Sequence, residues 1–212
     1  MTGRHDTAAT MAWMREGTAH LRRCADKLDD AAFPAPSLLP GWTRAHVLGH
    51  VARNAEALTR LATWARTGVQ TPMYANPEQR AAETENSAAQ RPATLRAELL
   101  ATAGALDAVL DALTPQQWQA QVRSALGRAT PAAEIPWMRI REVWLHAIDL
   151  GAGATVADLP DGVVDLHDNR LDLAKEAGAT HVVNGGREDL TGTLMSITGG
   201  AGVSDETARI GG

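Results

Sequence analysis

Residues 137–150 read WMRIREVWLHAIDL, and within that run Glu142 and His146 stand four positions apart. Four residues is slightly more than one turn of an α-helix, so the two side chains lie one above the other on a single face. A carboxylate and an imidazole stacked in this way reach a common ion, because oxygen and nitrogen ligands bind Zn²⁺ at roughly 2.0–2.2 Å. An exposed helix with a polar stripe shows the same pair. A second stretch decides between the two readings: residues 41–58 carry His50 in the middle of another helical pattern. Two such helices packed antiparallel bring His50 against Glu142 and His146, completing a three-ligand metal site with one open position.

The chain around these stretches has 212 residues, enough for one domain with a proper core and a small additional unit. Hydrophobic residues make up 44% and charged residues 21%, the composition of an ordinary globular protein. A formal charge of −5, with no basic cluster interleaved with aromatics, argues against a nucleic-acid partner. No apolar run approaches the roughly eighteen residues a membrane helix needs, so no membrane partner is expected. Asp6 and Glu16 occupy the region where an export signal would need an apolar core. Cys24 is the sole cysteine, which rules out a disulfide within the chain and points to the reducing cytoplasm.

In chain order, residues 6–30 form a first helical pattern, with Met11, Met14, Leu21, Cys24 and Leu28 at three- and four-residue steps. Cys24 lies on that stripe and behaves as a small core residue. Prolines in 31–40 break the pattern, and Thr43 is placed to cap a second helix running to about Arg66 and ended by Gly68. Asn76-Pro77 has the form of an N-cap followed by proline at the first helical position, opening a short polar helix to Asn86. In it Arg80, Glu83 and Asn86 face either a cavity or water. A third long helix spans about 93–113, residues 118–130 suit a strand or an ordered loop, and 135–150 make the fourth long helix. The expected fold is therefore mainly α: a four-helix bundle over residues 1–155 with the polar cluster in its core. Residues 156–212 change character, and the order strand, helix, strand (162–166, 169–177, 181–184) suggests a small α/β tail, possibly incomplete.

An ion held by two neutral imidazoles and a carboxylate keeps about one unit of positive charge, and it can activate water or a thiol or polarise a carbonyl. The donor set favours Zn²⁺, although Fe²⁺ and Ni²⁺ also suit it. His46, one turn before His50, is either a fourth ligand or a packed or capping residue. Asp149, three residues after His146, is placed to orient that ring. Trp42, Trp137 and Trp144 are assigned to the core.

Three segments, LPGWTRAHVLGHVARNAEAL (39–58), MYANPEQRAAE (73–83) and REVWLHAIDLGAG (141–153), together resemble the mycothiol-dependent maleylpyruvate isomerases, within the DinB-like metal-binding bundles. The resemblance spans roughly residues 7–164. It implies Zn²⁺ held by His50, Glu142 and His146, a substrate-facing arginine at Arg80, and mycothiol or a similar low-molecular-weight thiol as cofactor. The implied activity is that of a thiol-dependent cis–trans isomerase or S-transferase acting on a small electrophilic carboxylate such as maleylpyruvate. The thiol adds to an activated double bond, the resulting single bond rotates, and elimination gives the trans isomer. A metal-binding bundle without catalysis, serving as a sensor or regulatory partner, is the alternative.

The last part of the chain departs from that family, which continues with an α/β portion supplying a further substrate-facing arginine. VVDLHDNRLDLAKEAGATHVVN (163–184) and LTGTLMSITGGAGV (190–203) instead resemble a piece of the nucleotide-binding domain of zinc-dependent alcohol dehydrogenases. There an aspartate, here Asp165, holds the adenosine ribose. A working dinucleotide site also needs a Gly-rich turn and a whole helix before that strand, and Gly151-Ala152-Gly153 lies too close to Asp165 to leave room for it. An NAD-linked oxidoreductase is thus the least favoured reading. Titration with NAD⁺ or NADH, followed by calorimetry, is expected to show no saturable binding at sub-millimolar concentration. Saturable binding lost in Asp165→Ala would restore the oxidoreductase.

Overall fold

The computed structural model describes residues 6–160 and Val163. Helix α1 (Thr7–Asp26) starts where the Asp6 carboxylate accepts from the Ala9 amide at 3.1 Å, and it buries Met11, Met14, Leu21 and Cys24. It stops short of the expected Asp30, because Asp29 accepts from the Ala32 amide at 2.8 Å and starts a separate 3₁₀ turn, Asp30–Ala32. Helix α2 (Arg44–Thr67) is capped by Thr43 and closed by Gly68 at φ 74, the left-handed conformation that glycine adopts without strain. Asn76 caps α3 (Pro77–Ala88), with Pro77 in the first turn as its sequence predicts. Helix α4 runs over Pro92–Asp111. A short α5 (Pro115–Trp118) follows, and the segment expected to be strand or loop, 118–130, forms most of a hairpin. Its strands β1 (Gln121–Arg123) and β2 (Ala129–Pro131) pair antiparallel, with Val122 opposite Thr130. Helix α6 (Ile135–Asp149) closes the described elements, followed by a 3₁₀ turn at Val156–Asp158.

The four long helices α1, α2, α4 and α6 form the expected bundle. Helix α2 is its spine, packing on α3, α4 and α6, while α1 covers the other side of α6. Its residues Val47, Leu48, Val51, Leu58 and Leu61 are wholly removed from solvent. Pairings along α2 and α6 fix their relative direction. The Arg44 guanidinium donates to the Leu150 carbonyl, the His50 ring meets Glu142, and the Asn54 side chain meets Arg139. As numbers rise on α2 they fall on α6, so the two run antiparallel. Arg44 Nε lies 3.0 Å from the Leu150 oxygen, placing a cation where the α6 carbonyls end, which favours that helix terminus.

Helix α1 approaches α6 closely at Gly17. A Cβ there would stand 2.5 Å from Val143 Cγ2 and 2.6 Å from Trp144 Nε1. Trp144 cannot easily yield, because its Nε1–H donates to the Trp13 carbonyl at 3.1 Å. Among the described residues, no helix is long and apolar enough to cross a membrane. The strand–helix–strand run expected after Gly162, including Asp165, lies outside the described residues.

The Gly17 contact yields a stability test. Alanine would gain about 0.5–1 kcal/mol of helix preference, but overpacking a tight contact costs about 1–3 kcal/mol. Gly17→Ala is therefore expected to lower the urea midpoint. An unchanged or higher midpoint would mean that α1 and α6 part without cost.

Candidate metal centre

Antiparallel packing of α2 on α6 brings together the three side chains that the sequence places on separate helices. His50 Nε2 lies 2.9 Å from Glu142 Oε2, and His146 Nε2 lies 3.3 Å from the same oxygen. The two imidazole rings meet edge to face with centroids 5.0 Å apart. One ligand atom from each residue lies within 4.8 Å of the other two, and among the described residues no other group of three such side chains gathers so closely. Small side-chain adjustments would let all three atoms reach a shared ion at the roughly 2.0–2.2 Å typical of Zn²⁺, so the donor set fits that ion.

The surroundings tune these groups. His50 is 4% exposed, and burial lowers its pKa against the pull of Glu142, so its ring is neutral, as a metal ligand must be. Charges on His146 and Arg80 act in the same direction as burial. Burial alone would raise the Glu142 pKa, but hydrogen bonds from His146 and His50 overcome it and hold the carboxyl well below the usual range. Burial likewise opposes charge on His146, yet its bonds to Asp149 and Glu142 win and hold it at about 9. His146 Nδ1 lies 2.8 Å from Asp149 Oδ2, the orienting contact that the spacing predicts. An ion taking the place of the Nε2 proton leaves that contact intact.

The other expectations sort themselves around this centre. His46 stands apart from the ligand group and is a cap. The Thr43 amide donates to its Nδ1 at 3.2 Å, and the same nitrogen lies 2.7 Å from the Thr43 hydroxyl. Nε2 is left to face Glu85 of α3 at 3.2 Å. Trp144 is a core residue at 2% exposure, while Trp42 and Trp137 are only partly buried. Trp42 is also a wall of the centre, its ring centroid 5.3 Å from that of His50. Arg80 lies with its guanidinium carbon 5.7 Å from the centre of the Tyr74 ring, and Arg60 lies 5.9 Å from that ring. Arg60 Nε donates to the Met73 carbonyl at 2.8 Å, tying the loop that carries Tyr74 to α2. Burial raises the Tyr74 pKa, so the phenol keeps its proton at neutral pH. Nothing in the spacing singled out Tyr74; its place in the chain's one MYANPEQR segment was the available signal.

A helical bundle that turns two histidines and a glutamate from facing helices onto one point is a DinB-like metal-binding bundle. The family model described as mycothiol maleylpyruvate isomerase N-terminal domain matches residues 14–151, and the chain belongs to that family. A crystal structure of the mycothiol-dependent maleylpyruvate isomerase is 42% identical in sequence, with a TM-score of 0.75. The match covers 77% of this chain and 69% of that one. A structure of a histidine-to-alanine mutant of that isomerase matches with the same identity, coverage and TM-score. No curated protein matches the chain.

The shifted groups dictate how the metal-free protein responds to pH. His146, raised from 6.5 to about 9, contributes stability that is fully present below 6.5 and is lost as pH rises through about 9. Glu142, depressed from 4.5, contributes stability that is present above 4.5 and is lost in acid. Thermal melting of chelator-treated protein should therefore show an alkaline decline toward pH 9 that is shallower in His146→Gln. An identical alkaline limb in the variant would remove His146 as its source.

Proposed function

We propose that this chain is a zinc- and thiol-dependent cis–trans isomerase acting on a small electrophilic carboxylate such as maleylpyruvate, with mycothiol or a similar thiol as its cofactor. The observation that carries the reading is the convergence of His50, Glu142 and His146 in the bundle, with the charge of Arg80 reaching the same centre. Zn²⁺ bound there would favour the thiolate form of the cofactor at neutral pH and so supply the nucleophile. The protein's own residues do the rest. His50 presents a neutral ring, His146 would give up its Nε2 proton when the ion binds while Asp149 holds that ring in position, and the wall formed by Trp42 limits access of water to His50. Arg80 pairs its planar fork with a substrate carboxylate and holds the activated double bond near the thiol. Tyr74 braces the Arg80 guanidinium from the side. Addition makes the carbon–carbon bond single and free to rotate, and expulsion of the thiol restores the double bond in the trans geometry.

The proposed bundle domain, residues 1–155, carries all the proposed ligands. The free, buried Cys24 suits a reducing compartment, in keeping with a cytoplasmic enzyme.

Purified protein should hold about one Zn²⁺ per chain, and His50→Ala or His146→Ala should lose most of it together with mycothiol-dependent isomerisation of maleylpyruvate. Full zinc occupancy in both variants would end the assignment. Arg80→Lys should retain zinc but lose roughly 10–100-fold in kcat/KM, the cost of a charge-assisted bond worth about 1.5–3 kcal/mol. Normal turnover in that variant, or loss of its metal, would take Arg80 out of substrate binding.

A further inference from the structure

Arg139 lies one turn before Glu142 on α6 and is 1% exposed, the largest wholly buried side chain among the described residues. Its Nη1 donates to the Val51 carbonyl at 2.6 Å and to Asn54 Oδ1 at 2.9 Å. Its Nε and Nη2 have no hydrogen-bond partner among the described residues. Burial lowers its pKa to about 10, which leaves it charged at neutral pH, and Glu142 and Asp107 act on it only through space. For packing α2 on α6 alone, this is a poor choice. An apolar side chain of similar volume generally does better than a buried guanidinium without a contacting carboxylate.

The acceptors explain the choice. Val51 is the residue after His50, and Asn54 lies one turn further along the same helix. Arg139 itself precedes Glu142 by one turn. The guanidinium therefore ties the turn of α2 that carries one ligand to the turn of α6 that carries another, and it does so through a main-chain oxygen that cannot change rotamer. We propose that Arg139, with Asn54, is a positioning residue of the metal centre. It fixes the spacing and register of α2 against α6, so that His50, Glu142 and His146 stand at binding distance before the ion arrives. The proposal rests on the metal reading given above.

Charge and position make opposite predictions, which gives the test its force. A fixed cation beside a cation site repels the ion, so removing it should tighten binding if charge were the main effect. If position is what matters, removing it should weaken binding. The experiment uses the full chain as wild type, Arg139→Met, Arg139→Lys and Asn54→Ala. Zn²⁺ affinity is read by competition with a chromophoric chelator, ligand geometry by the visible bands of Co²⁺, and the metal-free fold by helical circular dichroism. Arg139→Met and Arg139→Lys are both expected to weaken Zn²⁺ binding by about 10–100-fold, the usual effect of losing a group that orients ligands. Their Co²⁺ bands should shift while the helical signal of the metal-free protein is kept. Asn54→Ala, which leaves the Val51 bond in place, should move affinity and spectrum the same way by a smaller factor, and it decides the matter if the Arg139 variants fail to fold. Unchanged or tighter Zn²⁺ binding, or unaltered Co²⁺ bands, in folded variants would overturn the proposal while leaving the metal centre standing. Wild-type protein that binds neither ion would overturn both, so the two failures are distinguishable.

Discussion

Glu142 sits between two imidazoles, one from its own helix and one from the facing helix, and the rest of the bundle is arranged so that this contact can exist. A carboxylate in that setting must remain ionised although burial opposes it, and hydrogen bonds to the two ring nitrogens offset that cost. The contact needs α2 and α6 antiparallel and in one particular register. Arg44 secures that register at one end, beside Leu150, and the buried Arg139 secures it further along. Helix α1 braces α6 from behind through the bare backbone of Gly17, and α4 fills the far side of α2. Each polar piece of the centre thus depends on apolar packing that the ligands themselves do not supply.

Much of this was legible in the sequence because the signals were local. Glu142 and His146 share a face by helical geometry alone, and Asp149 falls where it can orient the ring. Thr43, Asn76 and Pro77 announce helix starts through chemistry confined to three or four residues. His50 was harder, since its nearer partner, Glu142, lies 92 positions away and only the second helical pattern brought it into consideration. Antiparallel packing of the two patterns was enough to place it in the group, and the bundle brings its ring nitrogen to 2.9 Å from Glu142.

What stayed hidden shares a physical cause: the partner is a main-chain atom or a distant surface with no pattern of its own. Arg139 looks like any charged residue in a helix, because a carbonyl acceptor such as that of Val51 leaves no trace in the sequence. His46 was ambiguous because a capping box ordinarily carries Glu or Gln at that position, whereas here an imidazole nitrogen takes the same part. Helix α1 ends one turn before its apolar stripe does, because Asp29 competes for a backbone amide that the stripe alone would leave in the helix. The hairpin at 121–131 was too short for alternation to separate it from a loop.

The seat of α3 has a wider consequence. Gly49 of α2 lets Ser87 of α3 come so near that an added Cβ would stand 2.6 Å from the Ser87 Cβ, and His46 reaches across to Glu85. Arg80 is therefore referenced to the same helix that carries His50. The separation of His50 from the Arg80 guanidinium is measured along one common ruler rather than summed over several joints. Small drifts of α1 or α4, whether thermal or accumulated by substitution over time, leave that length unchanged. Sequence change can collect on the outer helices without retuning the span from His50 to Arg80, whereas a single added methyl at Gly49 would alter it.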